Sequence, residues 1–187
     1  MGILTLYAND SAVVDYASPN TNFYSATQTG DYGRPFFFTF APTAAQIEKI
    51  RYRKITAVTI YMYMAYYYNA SAAGVEIRTL SEPINLQTIT YNTAPLGYGG
   101  YKIYGPSSFE SSGYYNVATT MGAAELKNLL TYGAKATTSG KTVQTAKSSY
   151  KPYIEITYED ETASPYFSLY GATVRASEIK QTFKWAV

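Results

Sequence analysis

Side chains that move protons, hold metals or form thiolates are scarce in this chain. It has no histidine and no cysteine. That excludes a Ser-His-Asp triad, a Cys nucleophile, a CxxC redox pair, and the commonest general base and metal ligand. Acidic residues number 13. Glycoside hydrolysis needs two carboxylates facing each other across a cleft, and no strand-end pair of that kind is visible. The residues point to binding without catalysis, and no enzymatic activity is expected.

What the chain has instead is tyrosine, with 22 copies. A tyrosine ring packs on a half-buried pleated surface and carries a polar tip. Sugar rings offer apolar C–H faces that stack on flat aromatic rings, while their hydroxyls bond to polar neighbours. Tyr61 and Tyr63, with Tyr67 beyond them, fall on one side of an alternating run and form a first candidate platform. The plainer reading is that this side packs under a loop or a neighbouring domain. Tyr98, Tyr101 and Tyr104 alternate with glycines and Lys102 and read as a recognition loop; ordinary loop packing is the alternative. Arg51 and Arg53, next to Lys54, could bind carboxylates of an acidic polysaccharide bidentately, or form a solvated turn. The candidate ligand-binding residues are therefore Tyr61, Tyr63, Tyr98, Tyr101, Arg51 and Arg53. Asp10, Asp15, Asn20, Asn22 and Asp31 supply loop oxygens of the kind that suit a structural Ca²⁺. They lack EF-hand spacing, so no cofactor is expected beyond such an ion.

Strands must position these groups. In Lys54 to Tyr68, Val58, Ile60, Met62 and Met64 fall on one face and Thr59, Tyr61, Tyr63 and Ala65 on the other. A helix would put apolar residues at i, i+3, i+4 and i+7, which this run does not do cleanly. Further strands are expected at Ile3–Tyr7, Ser11–Ala17, Arg34–Phe40, Val75–Leu80, Tyr114–Thr119, Lys141–Ser149 and Tyr153–Tyr158. Val75–Leu80 is expected to neighbour the long strand. A single short helix is expected near residues 120–132, capped by Thr120 and ended by Gly133. From Glu82 to Gly105 the pattern weakens among prolines and glycines. Asp160 to Pro165 reads as a boundary. Residues 1–160 then form one β-sandwich, and 161–187 form a linker and the start of a following module or packing arm.

Apolar residues make up 47% of the chain and charged residues 15%, the latter below the ~25% usual in globular domains. The net charge of +2 is not gathered into a basic stripe, so nucleic acid is not an expected partner. Ile55 to Tyr68 is too short and too rich in tyrosine to span a bilayer, so no membrane insertion is expected.

Several segments in order resemble the DNRLRE-type domain of secreted bacterial and archaeal proteins. They are Asp15, Pro19-Asn-Thr-Asn-Phe23, Arg34 with Phe36 to Phe40, Ile55 to Tyr63, Thr88 to Pro95 with Tyr91 in place of the usual Trp, and Pro152 to Tyr158. The acidic residue that usually follows the Phe strand is replaced by Ala41-Pro42. The resemblance implies an all-β, jelly-roll-like antiparallel β-sandwich, similar to carbohydrate-binding modules of polysaccharide lyases. It implies a polysaccharide or cell-surface glycan as partner, neighbouring domains of the same chain, and an extracellular or virion-surface location. The competing expectation is a structural spacer or tip domain of a tail fibre or adhesin.

Overall fold

The computed structural model describes residues 1–30, 34–51, 53–67, 74–96, 101–104, 112–119, 121–139, 141–159, 166–169 and 172–175. It is an all-β antiparallel sandwich with two short helices rather than one. The strands are β1 (Gly2–Val13), β2 (Gln28–Gly30), β3 (Phe36–Phe40), β4 (Lys54–Tyr67), β5 (Gly74–Thr79) and β6 (Tyr101–Tyr104). They continue with β7 (Gly113–Thr119), β8 (Ala134–Ser139), β9 (Lys141–Gln144), β10 (Tyr153–Glu159), β11 (Tyr166–Leu169) and β12 (Ala172–Arg175). The helices are α1 (Ala44–Ile50) and α2 (Ala123–Tyr132).

The two expected N-terminal strands are one. The first half of β1 pairs with β10, and its second half pairs with β3. The register shifts between Ala8 and Asp10, so the strand bends and passes from one layer to the other, as strands at sandwich corners do. The side chains of polar Asp10 and Ser11 are held at this bend. Asp10 forms an ion pair with Lys147 and accepts from the Tyr24 hydroxyl at 2.9 Å. Ser11 Oγ accepts from Ala146 N at 3.1 Å. The Lys147 ammonium lies 3.6 Å from the centre of the Tyr24 ring. Burial pushes the Asp10 carboxyl up, but the bonds from Lys147, Tyr24 and Ser11 outweigh it and hold the group below its ordinary value.

The first layer is built on β4, whose one edge carries β7 and whose other edge carries β10 and then β9; β10 leads to β1, and β9 to β2. The second layer runs β1–β3–β8–β5–β6. β5 therefore does not neighbour β4 as expected. Alternation fixes which face of a strand is buried, not which layer the strand joins. Val58, Ile60, Met62 and Met64 point inward as read, and meet Leu4, Leu6, Ile154, Ile156, Phe36, Phe38 and Ile77 in the main core.

The phenylalanines of β3 divide between two cores. Phe36 and Phe38 enter the main one, and Phe37 faces the other side of its sheet. There it meets Ala12, Val14, Leu80, Leu86 and Ile89. The weakly patterned segment after β5 thus folds back as a cover. Asn22 fastens it by donating to the carbonyls of Leu86 and Ile89, and Asn92 donates to Asn20 at 2.8 Å. Asp15 pairs with Arg34 at 3.1 Å. Several of the motif residues quoted above thus hold one another.

α1 went unread. Its signal is Thr43-Ala-Ala-Gln46, a reciprocal capping box in which Thr43 Oγ1 accepts from Gln46 N and the Gln46 side chain accepts from Thr43 N. α2 starts at Ala123 with Gly122 as its cap, and Glu125 accepts from Gly122 N at 2.9 Å; Thr120 lies outside the described residues. β11 and β12 pair with each other in a separate two-stranded sheet.

One core position has a defect. Thr138 is 1% exposed, and its hydroxyl has no hydrogen-bond partner. Valine has the same shape without the hydroxyl. Thr138→Val should raise stability by about 1 kcal/mol, a gain in Tm of roughly 2–4 °C at this size. Thermal unfolding followed by circular dichroism checks this; a lower Tm would mean that the hydroxyl is bonded in solution.

Candidate functional site

The outer face of the first layer is tiled with tyrosine. Cross-strand register sets Tyr7 of β1 beside Tyr153 of β10, Tyr153 beside Tyr61 of β4, and Tyr63 of β4 beside Tyr114 of β7. Each alternates with an inward aliphatic residue, such as Leu6, Ile154, Ile60 or Met62, so burying one face obliges the other to present the ring. Tyr61 and Tyr153 stack with centroids 4.3 Å apart and planes at 7°. Tyr63 stacks on Tyr150, from the turn before β10, at 4.1 Å and 18°. Tyr114 meets Tyr63 and Tyr153 edge-on, each at 5.2 Å, and Tyr7 reaches Tyr153 at 5.2 Å. Six rings thus make one connected plate. Tyr61, Tyr63 and Tyr153 are its half-buried interior. Tyr7, Tyr150 and Tyr114 form the rim, at 59%, 50% and 39% exposure.

Polar groups are set into the plate. Tyr61 Oη donates to Glu155 Oε2 at 2.9 Å, and Tyr114 Oη donates to the Lys151 carbonyl at 3.2 Å. Thr5 and Thr59 flank Glu155 across the strands, and exposed Asn116 stands beside Tyr61. Burial, then the hydrogen bond and charge of Glu155, push the Tyr61 phenol up to about 12. Burial and neighbouring rings raise Tyr114, and burial with Glu155 and Tyr7 raises Tyr153. Tyr61, Tyr114 and Tyr153 therefore stay neutral at ordinary pH.

This arrangement has a pH consequence. Tyr61 binds its proton more tightly folded than unfolded, where its value is near 10. Its contribution to stability should be fully present below pH 10 and lost as pH rises through about 12. Denaturant midpoints measured across that interval should fall, and fall less steeply in Tyr61→Phe. Equal slopes for the two proteins would contradict the assignment.

The other sequence candidates do not join the plate. Arg51 closes α1 and pairs with Glu48 at 3.3 Å. Lys54 opens β4 and pairs with Glu159 at 3.1 Å. Arg53, just before Lys54, is exposed. Tyr61 lies ~23 Å further along the strand from Lys54, at about 3.3 Å per residue. The basic cluster and the rings therefore occupy opposite ends of the face. Tyr101 begins β6, where a loop was expected, and stands in the second layer opposite Ile77. Tyr98 lies outside the described residues, as does Asp31. Asp10, Asp15, Asn20 and Asn22 bond to the chain itself, as described above. Among the described residues no three acidic side chains gather as a metal site, and no helix is long and apolar enough to cross a membrane.

Tyr7, Tyr114, Tyr150 and Tyr153 were missed as candidates. Three of them had a signal, since each occupies the outward phase of an alternating strand. No family model matches the chain, and no curated protein is similar to it.

Proposed function

We propose that this protein is a non-catalytic carbohydrate-binding or cell-surface-recognition module, with the tyrosine plate as its ligand face. The observation that carries the reading is a connected surface of six rings, five on sheet strands and Tyr150 on the turn before β10, with hydrogen-bonding groups set among them. The apolar face of a sugar packs on the ring surface left exposed at the rim by Tyr7, Tyr114 and Tyr150, and Glu155, Asn116 and the phenols bond to its hydroxyls. Strand-borne rings are held in position before the ligand arrives, which reduces the ordering cost of binding. The resemblance to DNRLRE-type domains supports the same reading. It extends the proposal to a module of a larger extracellular or virion-surface protein.

A shallow platform desolvates little, so affinity per site is expected to be weak. A ring of the plate contributes about 1–2 kcal/mol by analogy with aromatic pairs, or roughly tenfold in Kd. Isothermal calorimetry against a panel of neutral and acidic polysaccharides should give binding that Tyr150→Ala, Tyr7→Ala and Tyr63→Ala each weaken by about that factor. Absence of heat with every polymer would favour a structural spacer or tip domain of a fibre or adhesin instead.

A further inference from the structure

On the reading that the plate takes a sugar, we infer that its ligand is an uncharged polysaccharide, selected by the carboxylate of Glu155. This carboxylate stands inside the plate. One oxygen accepts from Tyr61, and cross-strand Thr5 and Thr59 flank it. A carboxylate accepts hydrogen bonds and donates none. Sugar hydroxyls can donate to its other oxygen, whereas a uronate on the ligand would meet like charge in a partly desolvated setting.

Among the described residues, the basic side chains that the sequence offered, and Lys147, are placed elsewhere. Arg51 pairs with Glu48, Lys54 with Glu159, and Lys147 with Asp10. Arg53 lies beside Lys54 at the far end of β4. Among the described residues, exposed Lys151 stands at the rim of the plate, two positions before Tyr153. One mobile surface charge contributes little once salt screens it. The basic cluster that pointed to an acidic polysaccharide in the sequence therefore does not border the face.

The test is calorimetry of the intact protein with a soluble β-glucan, a galactomannan and alginate, in about 0.1 M and about 1 M salt, where the Debye length shrinks from ~10 to ~3 Å. At least one neutral polymer should bind more tightly than alginate, with Kd changing less than about twofold with salt. Glu155→Gln should weaken that binding about tenfold, as expected for a hydrogen bond to a charged group. Tyr61→Phe, which keeps the ring and the carboxylate, should weaken it less than about threefold, within the range of a neutral hydrogen bond. Equal losses in the two variants would mean that Glu155 acts only through Tyr61 and would overturn the inference. Alginate binding tighter than either neutral polymer would overturn the ligand class while leaving the plate as a sugar site. No binding to any of the three would overturn the carbohydrate reading itself.

Discussion

Gly133→Ala should destabilise the protein by more than about 3 kcal/mol, although it adds a single methyl group. Gly133 ends α2 with φ 89° and ψ −156°, a region that residues with a Cβ scarcely enter. Space is also lacking, because an added Cβ would lie 2.2 Å from the Phe38 carbonyl oxygen, a backbone atom that has no rotamer to retreat to. The turn cannot relax freely either. Gly133 N donates to Leu129 O at 3.1 Å, and Gly133 O accepts from Leu80 N at 3.0 Å. The next residue, Ala134, pairs with Phe38 at the start of β8. Relief of the clash must move α2, β3 or the cover segment. Tm should drop by roughly 6 °C or more. A loss below about 0.5 kcal/mol in denaturant unfolding would show that the turn adopts another conformation.

Phe38→Ala should cost about 3–5 kcal/mol. The ring is fully buried in the main core and contacts Phe36 at 5.4 Å and Phe40 at 5.8 Å. Its strand lies between β1 and β8, so ladders on both sides resist the collapse that would fill the void. Ile3→Thr supplies the contrast. Ile3 is equally apolar but 62% exposed on the outer face of β1, and its replacement should change stability by less than about 0.5 kcal/mol. Comparable losses in the two variants would mean that the assignment of inner and outer faces is wrong.

The inner and outer faces were legible in sequence wherever aliphatic residues alternate with polar or aromatic ones. β4 and β10 are the clearest cases, because Val58 to Met64 and Ile154 to Ile156 leave one phase to bury. β8 carries Ala, Lys, Thr and Ser, which gives little contrast between faces, and it passed unread. In β1, polar Asn9, Asp10 and Ser11 hid a bulge whose support comes from Lys147 and Ala146, far along the chain. The site divided in the same way. The outward phase of Tyr61 and Tyr63 is a local property, and local alternation shows it. That Tyr7, Tyr153, Tyr61 and Tyr114 gather is a property of strand order, β1–β10–β4–β7, which local pattern does not encode. Arg51 and Arg53 stand near Tyr61 in sequence, but the extended strand β4 carries them away from it.

The most direct test of the plate as ligand face is nuclear magnetic resonance of the intact protein with labelled tyrosine rings, titrated with the tightest-binding glycan of a broad array. The ring signals of Tyr7, Tyr114, Tyr150 and Tyr153 should shift together and saturate at one Kd. Tyr16 and Tyr91, which contact each other edge-on at 5.5 Å away from the plate, should stay in place, although Tyr16 is 69% exposed. Shifts confined to Tyr16 and Tyr91, or an array with no glycan bound, would contradict the account.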